Sequence, residues 1–467
     1  MNTDEFDHEE EFRDRIGSVT EKGARNWIYA LKPHGKYYNY RTILVVFYLL
    51  LFFGLPFIKV NGMPFVMLNV LDGKFILFSK IFWPQDFHIF AIAMIAFIIF
   101  IALFTVIYGR LFCGWVCPQT VFMEFVFRPI EWLIEGNPAS QKLLNNGPWS
   151  GSKIFKKSLK HFIYLLISFI VANTFLAYII GMDSLVKIIK EPLSAHLSLF
   201  LGLIFFTLTF YGVFAYIREI VCTTICPYGR LQGVMYDKDT MLVAYDYVRG
   251  EQRGKFKKNE QRTLGDCIDC HQCVHVCPTG IDIRNGTQLD CVGCTACIDA
   301  CDFMMEKVGL PKGLIRYASE NGIAEGKKMT FTPRIKAYTA VLIGLLVILA
   351  VLIATRKEID TQIARTGGQL YQELPNDRMS NLYNAKIINK TNQEIPVELK
   401  VENLKADIQL VGKPTILLPK EKVLTETFFI ILHKNDLKSR TTKLKIGVYR
   451  NGEKIQTINT NFLGPFM

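Results

Sequence analysis

Five apolar runs constrain this chain more than any other feature, because each is long enough to cross a bilayer as a helix of about 20 residues. They are Thr42–Ile58, Phe87–Tyr108, His161–Ile180, His196–Ile217 and Ile335–Ala354. In hydrocarbon the backbone N–H and C=O groups have no water to bond, so such runs are committed to helix. The first contains Gly54 and Pro56 and is the shortest. A further stretch, Val121–Ile134, carries Glu124, Arg128 and Pro129 and reads as interfacial or soluble. The formal net charge of +12 suits either nucleic acid or an anionic membrane surface. Lys and Arg crowd the ends of the apolar runs, which favours the membrane and argues against nucleic acid. The first run starts near Ile43, too late for a cleavable signal peptide.

Basic residues set the expected orientation. The segment Gly109–Lys160 holds Arg110, Arg128, Lys142, Lys153, Lys156, Lys157 and Lys160, whereas the loops of opposite parity hold Lys59, Lys74 and Lys80, then Lys187 and Lys190. The expectation is a bacterial inner-membrane protein with a cytoplasmic N-terminus and a periplasmic C-terminus. Its expected parts are a cytoplasmic segment 1–41, two membrane hairpins 42–235, a cytoplasmic cysteine-rich domain 236–334, a fifth span 335–354, and a linker and periplasmic domain 355–467. Arg356–Leu374 reads as polar linker. Beyond it, Leu382–Ile388, Pro396–Val401, Val423–Leu432, Thr442–Tyr449 and Lys454–Ile458 are rich in β-branched and aromatic residues and predict an Ig-like β-sandwich.

All 12 Cys fall into two kinds of motif, the last at Cys301, a clustering that speaks for metal ligation rather than a disulfide framework. Cys267-x-x-Cys270-x-x-Cys273-x-x-x-Cys277-Pro278 is followed by Cys291-x-x-Cys294-x-x-Cys297-x-x-x-Cys301. This is the run of a two-cluster ferredoxin, in which three close thiolates wrap one cubane and the fourth reaches the other. Cys267, Cys270, Cys273 and Cys301 are therefore assigned to one [4Fe–4S] cluster, and Cys277, Cys291, Cys294 and Cys297 to the second. Zinc also takes Cys-x-x-Cys pairs, but eight cysteines in this doubled register argue against it. Cys267-Ile-Asp-Cys270-His271 also matches a haem-attachment pattern, yet both thiols are already needed for the cluster. His271 and His275 then read as neighbours of the cluster. The basic stretch Arg253–Lys258 reads as a solvated loop or a dock for an acidic donor.

The second kind of motif is repeated after each membrane hairpin: Arg110-Leu-Phe-Cys113-Gly-Trp-Val-Cys117-Pro118, then Arg218-Glu-Ile-Val-Cys222-Thr-Thr-Ile-Cys226-Pro227. On a helix, i and i+4 share a face, so each pair is expected to present two sulfurs together. Such soft thiolates suit Cu(I) or dithiol–disulfide chemistry, against the alternative of buried structural Cys. His88 and His196 occupy matching positions in the two repeats and read as interfacial helix-end residues rather than a shared metal site. Met63, Met67 and Met182 suit a copper site or apolar packing equally. No dinucleotide fingerprint or Walker sequence is present.

On Cys113-Gly-Trp-Val-Cys117-Pro-Gln, Cys222-Thr-Thr-Ile-Cys226-Pro-Tyr-Gly-Arg, the doubled ferredoxin run, and the tail segments Arg365-Thr-Gly-Gly-Gln-Leu-Tyr and Asn384-Ala-Lys-Ile-Ile-Asn-Lys-Thr, the chain resembles the cytochrome oxidase accessory proteins called CcoG, FixG or RdxA. The resemblance implies a role in assembling cbb3-type cytochrome c oxidase, with reduction of Cu(II) to Cu(I) during copper delivery. It implies oxidase-assembly or copper-delivery proteins as partners, and leaves the electron donor unnamed. The competing expectations are a quinol-linked electron conduit and a non-catalytic assembly scaffold.

Overall fold

The structure is a computed structural model that describes residues 25–70, 73–256, 263–326, 331–368, 370–412, 415–437 and 439–465. Residues 1–24 of the N-terminal segment, and Lys257 and Lys258 of the basic stretch, lie outside the described residues. Two compact units are present. One comprises Met1–Leu55, Ile92–Ala177 and Met182–Val347, and the other Pro56–Ala91, Tyr178–Gly181 and Ile348–Met467.

Among the described residues five helices are long and apolar enough to span a membrane: Lys36–Phe57, Phe87–Tyr108, Gly151–Ile180, Ser194–Ile217 and Pro333–Ala354. Their apolar centres match the five runs, but the first and third begin well before Thr42 and His161, because polar first turns extend a helix that hydropathy alone cannot see. Val121–Ile134 departs from expectation. It runs as the consecutive helical turns Pro118–Phe122, Met123–Phe127 and Arg128–Ile134. Phe122, Met123 and Phe127 are buried against Tyr164, Val171 and Phe214 of the bundle. Within it Arg128 pairs with Glu124 at 3.3 Å. Arg218 meets Glu131 through two bonds of 3.0 Å, and Lys157 and Lys160 reach Glu135 at 2.9 and 2.8 Å. Part of the basic excess in Gly109–Lys160 thus offsets buried carboxylates, as buried charge requires.

The cysteine-rich region of the same unit is closed by a two-stranded antiparallel pair, Leu242–Tyr245 with Ile315–Ala318, which ties its start to its end. The helices Gln272–His275 and Ala296–Val308 lie between.

In the second unit the C-terminal domain is a pair of antiparallel sheets. One has the order Asp407–Leu410, Val423–His433, Arg378–Asn389, Ile359–Arg365, with Gln372–Leu374 also on Arg378–Asn389; the other has the order Ile416–Leu418, Ile395–Val401, Thr441–Arg450, Glu453–Leu463. Alternate residues face inward, and Tyr383, Phe428, Phe462 and Ile446 are fully buried in one core. Tyr383 and Phe428 stack at 5.7 Å. The expected linker Arg356–Leu374 is corrected here, because Ile359–Arg365 pairs along Arg378–Asn389 as a full strand. Its alternation of Ile359, Thr361 and Ile363 inward is short and half polar. Lys59–Val60, Met63–Pro64, Val66–Asn69, Lys74–Leu77 and Lys80–Phe82 are short strands outside the sequence expectations. Met63 and Met67 are buried there with Ile76 and Ile81, which is an apolar packing role.

Asp86 is buried in this unit between two cations. Arg356 donates to it at 2.7 and 3.1 Å and Lys390 at 2.6 Å. Burial by itself raises a carboxyl pKa, but the bonds from Arg356 and Lys390 outweigh it and hold Asp86 below its ordinary value. Asp86→Asn leaves Arg356 without its counter-charge and Lys390 with only Asp360 at 3.9 Å, and a loss of about 3–5 kcal/mol is expected. Since the folded pKa is the lower one, the contribution is complete above the unfolded value of about 3.9 and disappears as pH falls through the folded value. Urea unfolding of the domain should show a large gap between native and variant at pH 7 that closes under strongly acidic conditions. A gap unchanged by acid would mean that the carboxylate charge is not its source.

Candidate metal centres

Each half of the ferredoxin run folds around a local reversal. Asp269 and His271 flank Cys270 with φ of 54° and 55°, and Gly293 and Thr295 flank Cys294 with φ of 68° and 62°. Left-handed residues on both sides of the middle cysteine curl the backbone so that its neighbours face a common point. The Gly293 and Ala296 amides face the Cys291 and Cys294 sulfurs.

The eight thiols sort into two cavities. Cys267, Cys270, Cys273 and Cys301 line one, closed by Tyr245, Met305 and Leu314. Cys277, Cys291, Cys294 and Cys297 line the other, closed by Val243, Ile281 and Val292. Cys273 also reaches the second cavity, so the two share a wall. Four thiols around an apolar cavity are the donor set of a [4Fe–4S] cubane, and the residues present fit that group. Arg284 lines the first cavity and is held by Asp282 at 2.8 Å, by Asp269, and by His271 Nδ1 at 2.8 Å. His271 is thus engaged beside the first cavity.

The Cys-x-x-x-Cys-Pro motifs are not continuous helix, which corrects the expected i, i+4 face. Cys113 lies in the short helix Leu111–Trp115, while Cys117 is extended (φ −57°, ψ 125°) and caps the next helix, Pro118–Phe122. Cys222 lies in the π-helical turn Val221–Ile225, and Cys226 (φ −70°, ψ 112°) caps Pro227–Met235. Proline forces the break, because it disfavours helical backbone at the residue before it and is pre-shaped for the first helical position after it.

The break lets the two pairs converge, with Cys113 within electrostatic reach of Cys117 and Cys226, and Cys222 within reach of all three others. Burial, and then the neighbouring Cys117, push the Cys113 and Cys222 thiols up to about 12. Cys113 Sγ donates to Gln232 Oε1 at 3.3 Å, and the Gln232 side chain is fully buried. Tyr228 and Thr105 hydroxyls meet at 2.8 Å beside it.

Cys113 and Cys222 also pack against Val276, Val292, Cys294 and Ala296, of which Val292 and Cys294 line the second cavity. Gly114 makes this approach possible, since a Cβ there would lie 2.7 Å from the Gly293 backbone and from the Val292 carbonyl. Arg41 locks it. Its guanidinium is buried and donates to Gly114 O at 2.8 and 3.1 Å and to Cys294 O at 2.9 Å. Arg110 bonds the carbonyls of Leu289 and Gly229, joining the cluster loop to the second motif. Sequence reading missed Arg41 and Gln232. The available signal was an arginine at the start of an apolar helix, where charge is costly and usually has a task. Arg41→Met strands two buried carbonyls at about 1–3 kcal/mol each. The expected result is faster thermal loss of the visible cluster absorbance, and an unaltered thermal profile would show that the lock is dispensable.

His196 is engaged with Glu191 at 2.5 Å. His88 lies in the first turn of Phe87–Tyr108.

Comparison with known proteins finds family matches in three regions. A 4Fe-4S dicluster domain model matches residues 217–320, a 4Fe-4S binding domain model matches residues 90–137, and a model of the IG-like fold at the C-terminus of FixG matches residues 349–465. RdxB of Cereibacter sphaeroides is 33% identical over 79% of this chain and 80% of its own length. RdxA of the same organism is 32% identical over 72% of this chain and 73% of its own. The nitrogen fixation protein FixG of Rhizobium meliloti is 33% identical over 65% of this chain and 59% of its own. An iron–sulfur region, membrane-length helices and a FixG-type C-terminal fold lie in one chain, and the identity runs through most of it. The chain therefore belongs to the FixG/RdxA family of membrane iron–sulfur proteins.

Proposed function

We propose that this protein is a cupric reductase, an oxidoreductase that takes electrons into two [4Fe–4S] clusters and reduces Cu(II) to Cu(I) at Cys113, Cys117, Cys222 and Cys226. The reduced copper serves assembly of a cbb3-type cytochrome c oxidase, with copper-delivery or oxidase-assembly proteins as partners. The observation that carries this reading is the packing of Cys113 and Cys222 against the Cys294 wall. It supports a reading in which two of these thiols lie beside one cluster site.

Cys267, Cys270, Cys273 and Cys301 hold the first cluster, and Cys277, Cys291, Cys294 and Cys297 the second, a division supported by the two cavities these sets line. When bound, the clusters supply electrons singly, at potentials set by charge, hydrogen bonding and exposure around the sulfurs. The protein's own residues do the rest. Arg41 and Arg110 hold the cysteine-pair motifs against the cluster loop, so the electron crosses packed protein rather than solvent. Gln232 orients the Cys113 thiol. Thiol sulfur favours Cu(I) over Cu(II), so the site is complementary to the product of a one-electron reduction. The Lys and Arg distribution supports a cytoplasmic N-terminus and cluster domain in a bacterial inner membrane, with the C-terminal domain in the periplasm.

The test is anaerobic titration of the reduced, purified protein with Cu(II), following cluster absorbance and Cu(I) together. Cluster oxidation with matching Cu(I) is the expected result. Clusters that stay reduced beside Cu(II) would reject cupric reduction in favour of a quinol-linked conduit.

A further inference from the structure

A cleft of about 650 Å³ opens beside the cluster region, well within the range of about 300–1,000 Å³ typical of small-molecule sites. Its floor is made of cluster-bearing backbone. Gln272 lies between Cys270 and Cys273, Val276 precedes Cys277, and Ala300 precedes Cys301. Segments that serve both cluster cavities therefore meet at this one cleft. Trp132 and Phe303 supply aromatic walls. The Trp132 indole is fixed by its N–H, which donates to Ala30 O at 3.2 Å, and Leu31 N–H bonds His275 O at 2.8 Å. The rim is thereby held against the floor.

That rim carries one cation, Lys32, with the His34 imidazole beside it. Lys32 and His34 line the cleft and are exposed, and neither forms an ion pair among the described residues. The Lys307 ammonium lies 4.2 Å over the Phe303 ring and adds to the positive potential. An occupant suited to this cleft has a flat aromatic body and an anionic group. It must also give up electrons one at a time, because each cluster accepts one. A nicotinamide has the shape and the charge but transfers a hydride, whereas a flavin transfers electrons singly or in pairs. A quinol lacks the anion that Lys32 and His34 would face.

We propose that this cleft binds a reduced flavin nucleotide as the electron donor. Oxidation of one dihydroflavin releases two electrons and two protons. The two clusters each take one electron, and the protons leave to solvent at the exposed mouth. The proposal rests on the iron–sulfur content of the chain and is independent of the fate of copper.

Titration of flavin mononucleotide into the full-length, cluster-loaded protein tests it, read by quenching of flavin fluorescence with no copper present. One saturable site is expected. Riboflavin, which lacks the phosphate, should bind roughly tenfold more weakly, and Lys32→Glu should weaken the mononucleotide by about the same factor, as for loss of one charge-assisted contact. Phe303→Ser, at a side chain 55% exposed, tests the aromatic wall without emptying a core and should also weaken binding. Absence of saturable quenching would overturn the proposal. So would binding that Lys32→Glu and Phe303→Ser leave unchanged, or saturable binding of NADH where the flavin fails. None of these outcomes depends on whether the cysteine pairs reduce copper, so the two readings fail separately.

Discussion

Cys226→Ser is expected to retain both iron–sulfur clusters and to lose Cu(II) reduction. The side chain lines neither of the two cysteine-lined cavities. It sits at a helix N-cap ahead of Pro227, a position that serine occupies readily. The fold therefore has little reason to change. What changes is the proposed donor set, where a hard hydroxyl replaces a soft sulfur within electrostatic reach of Cys113 and Cys222. Outer-shell changes alone cost metal sites about 10–100-fold, so loss of a donor atom should lower the reduction rate by at least about 100-fold. The measurement is Cu(I) formation by protein whose iron content and visible spectrum match the native chain. Native turnover in that cluster-loaded variant would remove the cysteine pairs from the reaction.

Gly114→Val is expected to damage the second cluster selectively. The atoms that a Cβ would meet at 2.7 Å are backbone, the Gly293 carbonyl group and the Val292 oxygen. No rotamer change relieves such a clash. Either the Cys113 motif or the Cys291–Cys294 loop must shift, and overpacking of this kind costs about 1–3 kcal/mol before any ligand is lost. The Arg41 bonds to Gly114 O and Cys294 O span the same contact and would be strained together with it. Iron content approaching half of the native value is the expected reading, with copper reduction lost. Gly344→Ala is the matched control, because nothing lies within 4 Å of a Cβ there. Full iron content with native coupling in Gly114→Val would show that the close approach is not needed.

Much of this architecture was legible because it is written locally. The spans at Phe87–Tyr108 and Ile335–Ala354 announce themselves by unbroken hydrophobicity. The crossed ferredoxin pattern follows from spacing, because three thiols two residues apart have few ways to face one point. The strand Arg378–Asn389 was visible in part, since its inner residues Met379, Tyr383, Ala385 and Ile387 are apolar. Ile359–Arg365 has the sequence of a linker because its inward positions include Thr361 and its identity as a strand comes from its partner. Residues 59–82 were missed for a similar reason, as strands of two to four residues carry too little pattern.

The candidate site divides along the same line. From the order of residues alone come the twelve cysteines, their grouping into one doubled run and two Pro-terminated pairs, and five runs long and apolar enough to cross a membrane. These are properties of neighbours along the backbone, where spacing and hydrophobicity act directly. The meeting of the two Cys pairs, the close approach of Gly114 to Gly293, and the Arg41 lock between Gly114 and Cys294 join residues far apart in the chain. Only tertiary packing decides them, because the energy of a buried arginine or a bare glycine depends on which backbone is brought against it.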